Sequence, residues 1–209
     1  MNAVDFDLYL VTDRNQTGGR DLLWVLEQAL DGGVKAIQLR EKDLDGKQLF
    51  LLAEKVRALC ARYRAALFIN DRIDVARAVG ADGVQLGTTS LPIDTARDLL
   101  GADRMIGAST HSVEEAREAE RRGADFVLFG PVYFTPTKAA YGAPQGLAAL
   151  KNIVENVALP VYAIGGIKPD NVGAVVVAGV RGVALISAVM AVIDPKLAAE
   201  TILKLLERS

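Results

Sequence analysis

The chain has 209 residues, 51% of them hydrophobic and 24% charged, with a net charge of -2 and a pI near 5.5. That length suits one domain spanning 1–209 with a large core. The balance of charge gives no electrostatic case for nucleic acid or an anionic membrane. No apolar run approaches the ~20 residues of a membrane span. Cys60 is the only cysteine, so an intrachain disulfide and a cysteine-based zinc site are excluded. It sits on the apolar side of a predicted helix, in Val56-Arg-Ala-Leu-Cys60, and reads as a small core residue. The start, Met1-Asn-Ala-Val-Asp-Phe-Asp7, lacks the basic and apolar segments of a signal peptide, and a cytoplasmic location is expected.

Short β-type runs alternate with amphipathic helical patterns. Strands are predicted at 8–12, 36–39, 66–69, 83–86, 105–108, 126–129, 161–164 and 183–186. Helices are predicted at 21–32, 46–63, 72–79, 92–100, 112–122, 146–156, 169–178 and 194–207. This alternation predicts an α/β fold, a closed (β/α)8 TIM barrel. An open doubly wound sheet is the alternative, and no early Gly-x-Gly-x-x-Gly turn supports it. A phrase recurs in Asp31-Gly-Gly-Val34, Val79-Gly-Ala-Asp-Gly-Val84, Arg122-Gly-Ala-Asp125 and Ala178-Gly-Val-Arg-Gly-Val183. In each, a left-handed glycine is expected to end a helix before the next strand.

In such a barrel the chemistry lies at the C-terminal strand ends. After the second strand, Gln38-Leu-Arg-Glu-Lys-Asp43 turns Gln38 and Arg40 to one side, and Arg40 with Lys42 can neutralise a multiply charged phosphate. The competing reading is a solvated turn. After the third strand, Asn70 and Asp71 suit a ring nitrogen or amino group and a hard cation such as Mg²⁺, or else a helix N-cap. After the fourth, Gly87-Thr-Thr-Ser-Leu-Pro92 is hydroxyl-rich, with Ser90 able to cap the following helix.

After the fifth strand come Ser109 and His111, the only histidine. Ser112 and Glu115 form a capping-box pattern, and His111 reads as structural, as a hydrogen-bond donor to a phosphate or as a proton shuttle. The sixth strand is followed by a long loop, Gly130-Pro-Val-Tyr-Phe-Thr-Pro-Thr-Lys138 and on to Gly146. It offers Thr135, Thr137 and Lys138, has Tyr141-Gly142 as a hinge point, and reads as a closing lid. Gly165-Gly166 and Ser187 end the last two strands as a phosphate cradle, the glycines letting the backbone approach another group closely.

Together these segments resemble thiamine phosphate synthase over nearly the whole chain. The resemblance rests on Leu8-Tyr-Leu-Val-Thr-Asp-Arg14, Gln38-Leu-Arg-Glu-Lys42, Ile69-Asn-Asp-Arg72, Gly107-Ala-Ser-Thr-His111, Gly130-Pro-Val-Tyr, Thr135-Pro-Thr-Lys138, Ala163-Ile-Gly-Gly-Ile167 and Ile186-Ser187. It implies a (β/α)8 barrel that uses Mg²⁺ to join 4-amino-5-hydroxymethyl-2-methylpyrimidine pyrophosphate to a thiazole phosphate, releasing pyrophosphate. By the same resemblance, Gln38, Arg40, Lys42 and Asn70 hold the pyrimidine pyrophosphate. Ser109 meets the pyrimidine, Lys138 the pyrophosphate, and Asp71 the metal. Thr135, Thr137, Gly166, Ile186 and Ser187 form the thiazole phosphate pocket. Lys138, Arg40 and Ser109 would act on the reacting groups, with His111 beside the substrate.

One departure stands out. The family carries a second metal-binding acid in the loop after the fourth strand, where this chain has Ser90. Ser90 is therefore the expected second metal position, with Asp94 or water left to compensate for the missing acid. The related thiazole tautomerase lacks that acid, reads Ser-Leu where this chain has Ser90-Leu91, and looks to a histidine matching His111. Gln38 and the Thr135-Pro-Thr-Lys138 loop favour the synthase. A non-catalytic sensor of thiazole or thiamine phosphate is the third reading. A homo-oligomer is compatible with the sequence, which does not fix the oligomeric state.

Overall fold

The computed structural model describes residues 4–135 and 143–207. Parallel strands close into a barrel in sequence order: β1 (Leu8–Val11), β2 (Ala36–Leu39), β3 (Ala66–Asn70), β4 (Gly83–Leu86), β5 (Met105–Thr110), β6 (Phe126–Phe129), β7 (Val161–Ile164) and β8 (Gly182–Leu185). The seam is the pairing of β8 with β1, where Leu8 stands opposite Val183 and Leu10 opposite Leu185. Outside lie α1 (Leu22–Asp31), α2 (Gly46–Tyr63), α3 (Ile73–Ala78), α4 (Ile93–Leu100), α5 (Val113–Arg121), α6 (Gly146–Asn156), α7 (Val172–Val177), α8 (Ser187–Met190) and α9 (Pro195–Leu206). None of these helices is long and apolar enough to cross a membrane.

Every predicted strand and helix is present, with small shifts at the ends. Two differences bear on the site. β5 runs on through Ser109 to Thr110, and Ser187 opens the short helix α8, which the sequence reading omitted. Four residues are too few to show a helical period. The recurring phrases behave as expected: Gly33, Gly80, Gly123 and Gly179 have φ of 96°, 63°, 89° and 89°. Side-chain acceptors cap α1, α2, α5 and α9, as at Asp45, whose side chain takes the Gln48 amide while Gln48 reaches back.

Two apolar layers follow from strand alternation. Ile37, Leu67, Ile69, Val84, Ile106 and Val127 face the helices and pack with Val25, Ala53, Val56 and Ile202. Tyr9, Phe68, Phe126 and Tyr162 face inward, and Phe6 plugs the base beneath them. Phe6 stacks on Tyr162 at 4.9 Å between ring centroids, while Phe126 meets Phe68 edge-on at 5.4 Å. The Tyr162 hydroxyl donates to the Phe6 carbonyl at 2.6 Å. Rings this large fit because glycines stand beside them. A Cβ on Gly83 would lie 2.7 Å from the Phe68 ring, one on Gly182 2.9 Å from Tyr162, and one on Gly107 would overlap Phe126. The floor is thus sealed, and inward positions nearer the C-terminal ends carry Gln38, Asn70, Gln85 and Ser109 instead.

Two outcomes follow from this packing. Gly107→Ala lowers unfolding free energy by about 1–3 kcal/mol through overpacking, read as a lower urea midpoint at unchanged slope. A variant as stable as the parent would show that the Phe126 ring can yield. Cys60 is buried, and burial pushes its thiol from 9.0 up to about 12. The thiolate is the reactive form, so native protein at pH 8 stays inert to a thiol reagent and reacts once unfolded. Folding favours the neutral thiol, so its contribution to stability is complete below pH 9 and is lost as pH climbs from 9 toward 12. Rapid labelling of native protein would place Cys60 elsewhere.

Candidate active site

The end of β2 is built around a buried carboxylate. Glu41 is 5% exposed and accepts from the Thr12 hydroxyl at 2.6 Å. It also accepts from the Arg14 amide and guanidinium at 3.2 Å. Arg14 then forks onto Asp43 at 2.7 and 2.5 Å, and the guanidinium holds that carboxyl below the usual carboxylate range. The segment is therefore a latch between the β1 and β2 loops, not a solvated turn. Among the described residues no carboxylate pairs with the half-buried Arg40 guanidinium, while the Arg40 amide donates to Thr12 at 2.9 Å. Gln38 is buried, and its amide nitrogen donates to the Tyr9 hydroxyl at 3.4 Å.

Asn70 ends β3, and Asp71 follows with φ of 65°. A left-handed aspartate is uncommon, and such conformations gather at functional positions. Its amide donates to the Gln85 backbone carbonyl at 2.9 Å. The capping alternative fails, because Arg72 precedes α3 and no side chain caps it. Asn70, exposed Asp71, Lys42 and Ser90 line one cavity of about 320 Å³. Ser90 does not cap α4 as expected. Its hydroxyl instead accepts from the Gly87 amide at 2.8 Å, folding the loop back so that Ser90 borders the same cavity as Asp71. Asp94 pairs with Arg122 at 3.3 Å and is not among the residues lining that cavity.

On β5, the Ser109 hydroxyl accepts from the Gln85 side-chain nitrogen at 3.2 Å. His111 is drawn to α5. Its amide donates to Glu115 at 2.7 Å and its Nδ1 lies 3.1 Å from the same oxygen. Only half of the predicted capping box forms: Ser112 accepts from the Glu115 amide at 3.1 Å, while the Glu115 carboxylate is occupied by His111. His111 lines neither the Asp71 cavity nor the one described next.

A second cavity of about 370 Å³ is lined by Thr135, Gly166, Ile186 and Ser187, the described members of the predicted thiazole phosphate set. The Thr135 hydroxyl oxygen is buried with no partner among the described residues, and Ser187 is exposed at the mouth. Gly165 and Gly166 have φ of 101° and 66°. A Cβ on Gly165 would lie 2.6 Å from Pro131, and one on Gly166 2.7 Å from Tyr133 and 2.8 Å from the Phe134 carbonyl. The glycines thus admit the β6 loop against β7. Lys168, Gln16 and Phe134 also border this cavity and were missed from sequence; Lys168 had a signal, as a cation just past the Gly-Gly pair. Thr137, Lys138 and the Tyr141-Gly142 hinge lie outside the described residues.

The family model for thiamine monophosphate synthase matches residues 8–189. The chain belongs to this family. It is 44% identical to a thiamine-phosphate synthase of Clostridium novyi over 90% of this chain and 92% of that one. It is 53% identical to a Geobacter sulfurreducens protein provisionally named for the same activity, over 99% and 97%. A thiamine phosphate pyrophosphorylase from Pyrococcus furiosus superposes with a TM-score of 0.88 at 42% identity, covering 96% of this chain and 95% of that one. A 3-hexulose-6-phosphate synthase at 19% identity and a TM-score of 0.69, covering 96% and 100%, shares the barrel alone. The protein is a transferase of thiamine biosynthesis, and the tautomerase alternative is not favoured by these relatives.

Removing the latch has a defined cost. Glu41→Ala leaves the Thr12 hydroxyl buried without its acceptor and Arg14 without its inner partner. Chemical denaturation should show a loss of about 2–4 kcal/mol, and a change under about 0.5 kcal/mol would mean the latch is dispensable.

Proposed function

We propose that the chain condenses 4-amino-5-hydroxymethyl-2-methylpyrimidine pyrophosphate with thiazole phosphate to give thiamine phosphate and pyrophosphate. The observation that carries this is the pair of cavities on opposite arcs of one barrel mouth. The arc of β2–β4 bears Lys42, Asn70 and Asp71, and the arc of β6–β8 bears Thr135, Gly166, Ile186 and Ser187. Two anionic substrates need two such places.

The chain's own groups supply position and charge. Arg40, Lys42 and Lys138 neutralise the pyrophosphate as the bond to the pyrimidine methylene breaks and the electron pair leaves with phosphate oxygen. Gln38, Asn70 and Ser109 hold the ring, whose amino group spreads the positive charge left on the methylene. The thiazole nitrogen, fixed through its phosphate by Thr135, Thr137, Gly166, Ile186 and Ser187, donates its lone pair to that carbon. That nitrogen carries no proton, so the bond forms without a general base. His111, bound to Glu115 outside both cavities, is thus not required, whereas a tautomerase needs a group that moves protons.

The residues present also fit Mg²⁺. This ion takes one or two carboxylates and fills its shell with waters and substrate phosphate. No group of three acids, histidines or cysteines is found among the described residues, so a full protein cage is absent there. Asp71 borders the first cavity beside Ser90, and these two would hold the ion. Bound there, Mg²⁺ would offset negative charge on the departing pyrophosphate.

The test is formation of thiamine phosphate from both substrates, with Mg²⁺ titrated for the parent and for Ser90→Asp. Product is expected only with metal, and the variant's midpoint should fall at least about threefold because a second carboxylate offsets dehydration of the cation. No product at any Mg²⁺ concentration would overturn the condensation, and an unchanged midpoint would remove Ser90 from the metal.

A further inference from the structure

Gln85 sits on β4 with 2% exposure, two residues past Gly83 and opposite Asn70 and Gly107 in the neighbouring strands. Its carbonyl oxygen Oε1 is buried and makes no hydrogen bond among the described residues. A buried acceptor left unsatisfied costs about 1–3 kcal/mol. The fold does not need that cost, since an apolar side chain of similar length would fill the same space. The other end of the amide is engaged: Nε2 donates to the Ser109 hydroxyl oxygen at 3.2 Å. Gly107 allows this arrangement, because a Cβ there would overlap Oε1. The amide is therefore wedged between β5 and the top of the aromatic floor.

We propose that Gln85 is a positioning residue that sets the polarity of the Ser109 hydroxyl. A serine hydroxyl has one proton and two lone pairs. With Nε2 donating to one lone pair, the proton is left to point into the barrel mouth. Ser109 is then a hydrogen-bond donor toward a ligand, matched to a ring nitrogen that carries a lone pair. This inference deepens the condensation reading and rests on it: the ring selected is the pyrimidine, recognised by an acceptor nitrogen. Ser109 touches the substrate, and Gln85 acts through it.

Two variants separate polarity from packing. Gln85→Glu keeps the shape and turns the donor into an acceptor, which draws the Ser109 proton back. Gln85→Met keeps the volume and removes the donor. The Kd of pyrimidine pyrophosphate, read by calorimetry, should rise about tenfold in Gln85→Met and more in Gln85→Glu, one neutral hydrogen bond being worth roughly that factor. The KM for thiazole phosphate should stay within about twofold in both, because its cavity lies on the other arc. In a Ser109→Ala background, Gln85→Met should add less than about twofold, since the group it orients is gone. Equal losses for both substrates, or additive losses in the double variant, would overturn the proposal and leave Gln85 a packing residue. If Gln85→Glu fails to fold, the methionine series carries the same decision. A parent that binds pyrimidine pyrophosphate and shows this pattern yet makes no thiamine phosphate would sink the condensation reading while keeping the role of Gln85.

Discussion

The structure depends on the two-way choice that a β-strand gives each side chain, once β8 has paired with β1. Closure turns one of the two directions inward on every strand, where space is finite and the floor is buried. Four aromatic rings and Phe6 fill the lower part of that space, and glycines at 83, 107 and 182 make room for them. Because the floor is packed tight, the inward residues above it need not be apolar. The chemistry of the mouth is thus a continuation of the core by the same alternation: Phe68 leads to Asn70, Gly83 to Gln85, and Gly107 to Ser109.

The same geometry explains how charge is distributed at the rim. Glu41 points into the β1–β2 junction and is satisfied there by Thr12 and Arg14, so its neighbour Arg40 is not neutralised by it. A cation near anionic substrate is useful only if the protein's own acids are occupied elsewhere. Arg72 and Asp74 pair with each other in the same way, and Asp71 is left at the cavity edge. Its left-handed backbone follows from the turn out of β3, held by the hydrogen bond from its N–H to the Gln85 backbone carbonyl.

On the far arc, the role of the paired glycines is tertiary. They keep β7 clear of side chains so that Pro131, Tyr133 and Phe134 can settle against it, which shapes one wall of the second cavity. The cradle is therefore made by three consecutive strand ends acting together. Ser187 reaches its rim because the chain turns at once into α8 after β8.

The sequence by itself determined the order and period of the elements, the glycine stops, the barrel class and most of the residues at the mouth. These are local properties: hydrophobic periodicity, backbone freedom and the parity of a position along its strand. Asn70 and Gly166 were legible for that reason, whereas the roles of Ser109 and Ile186 came from the family resemblance. Only the tertiary structure decided which polar side chains were already spoken for. That Glu115 takes His111, that Ser90 closes on Gly87, and that Gln85 holds Ser109 depend on atoms meeting across loops or neighbouring strands. Gln85 could be placed inward by parity, but its buried side-chain oxygen, without a partner among the described residues, could not be read from any run of residues. A hydrogen bond has a partner and a direction in space, and a sequence pattern records neither.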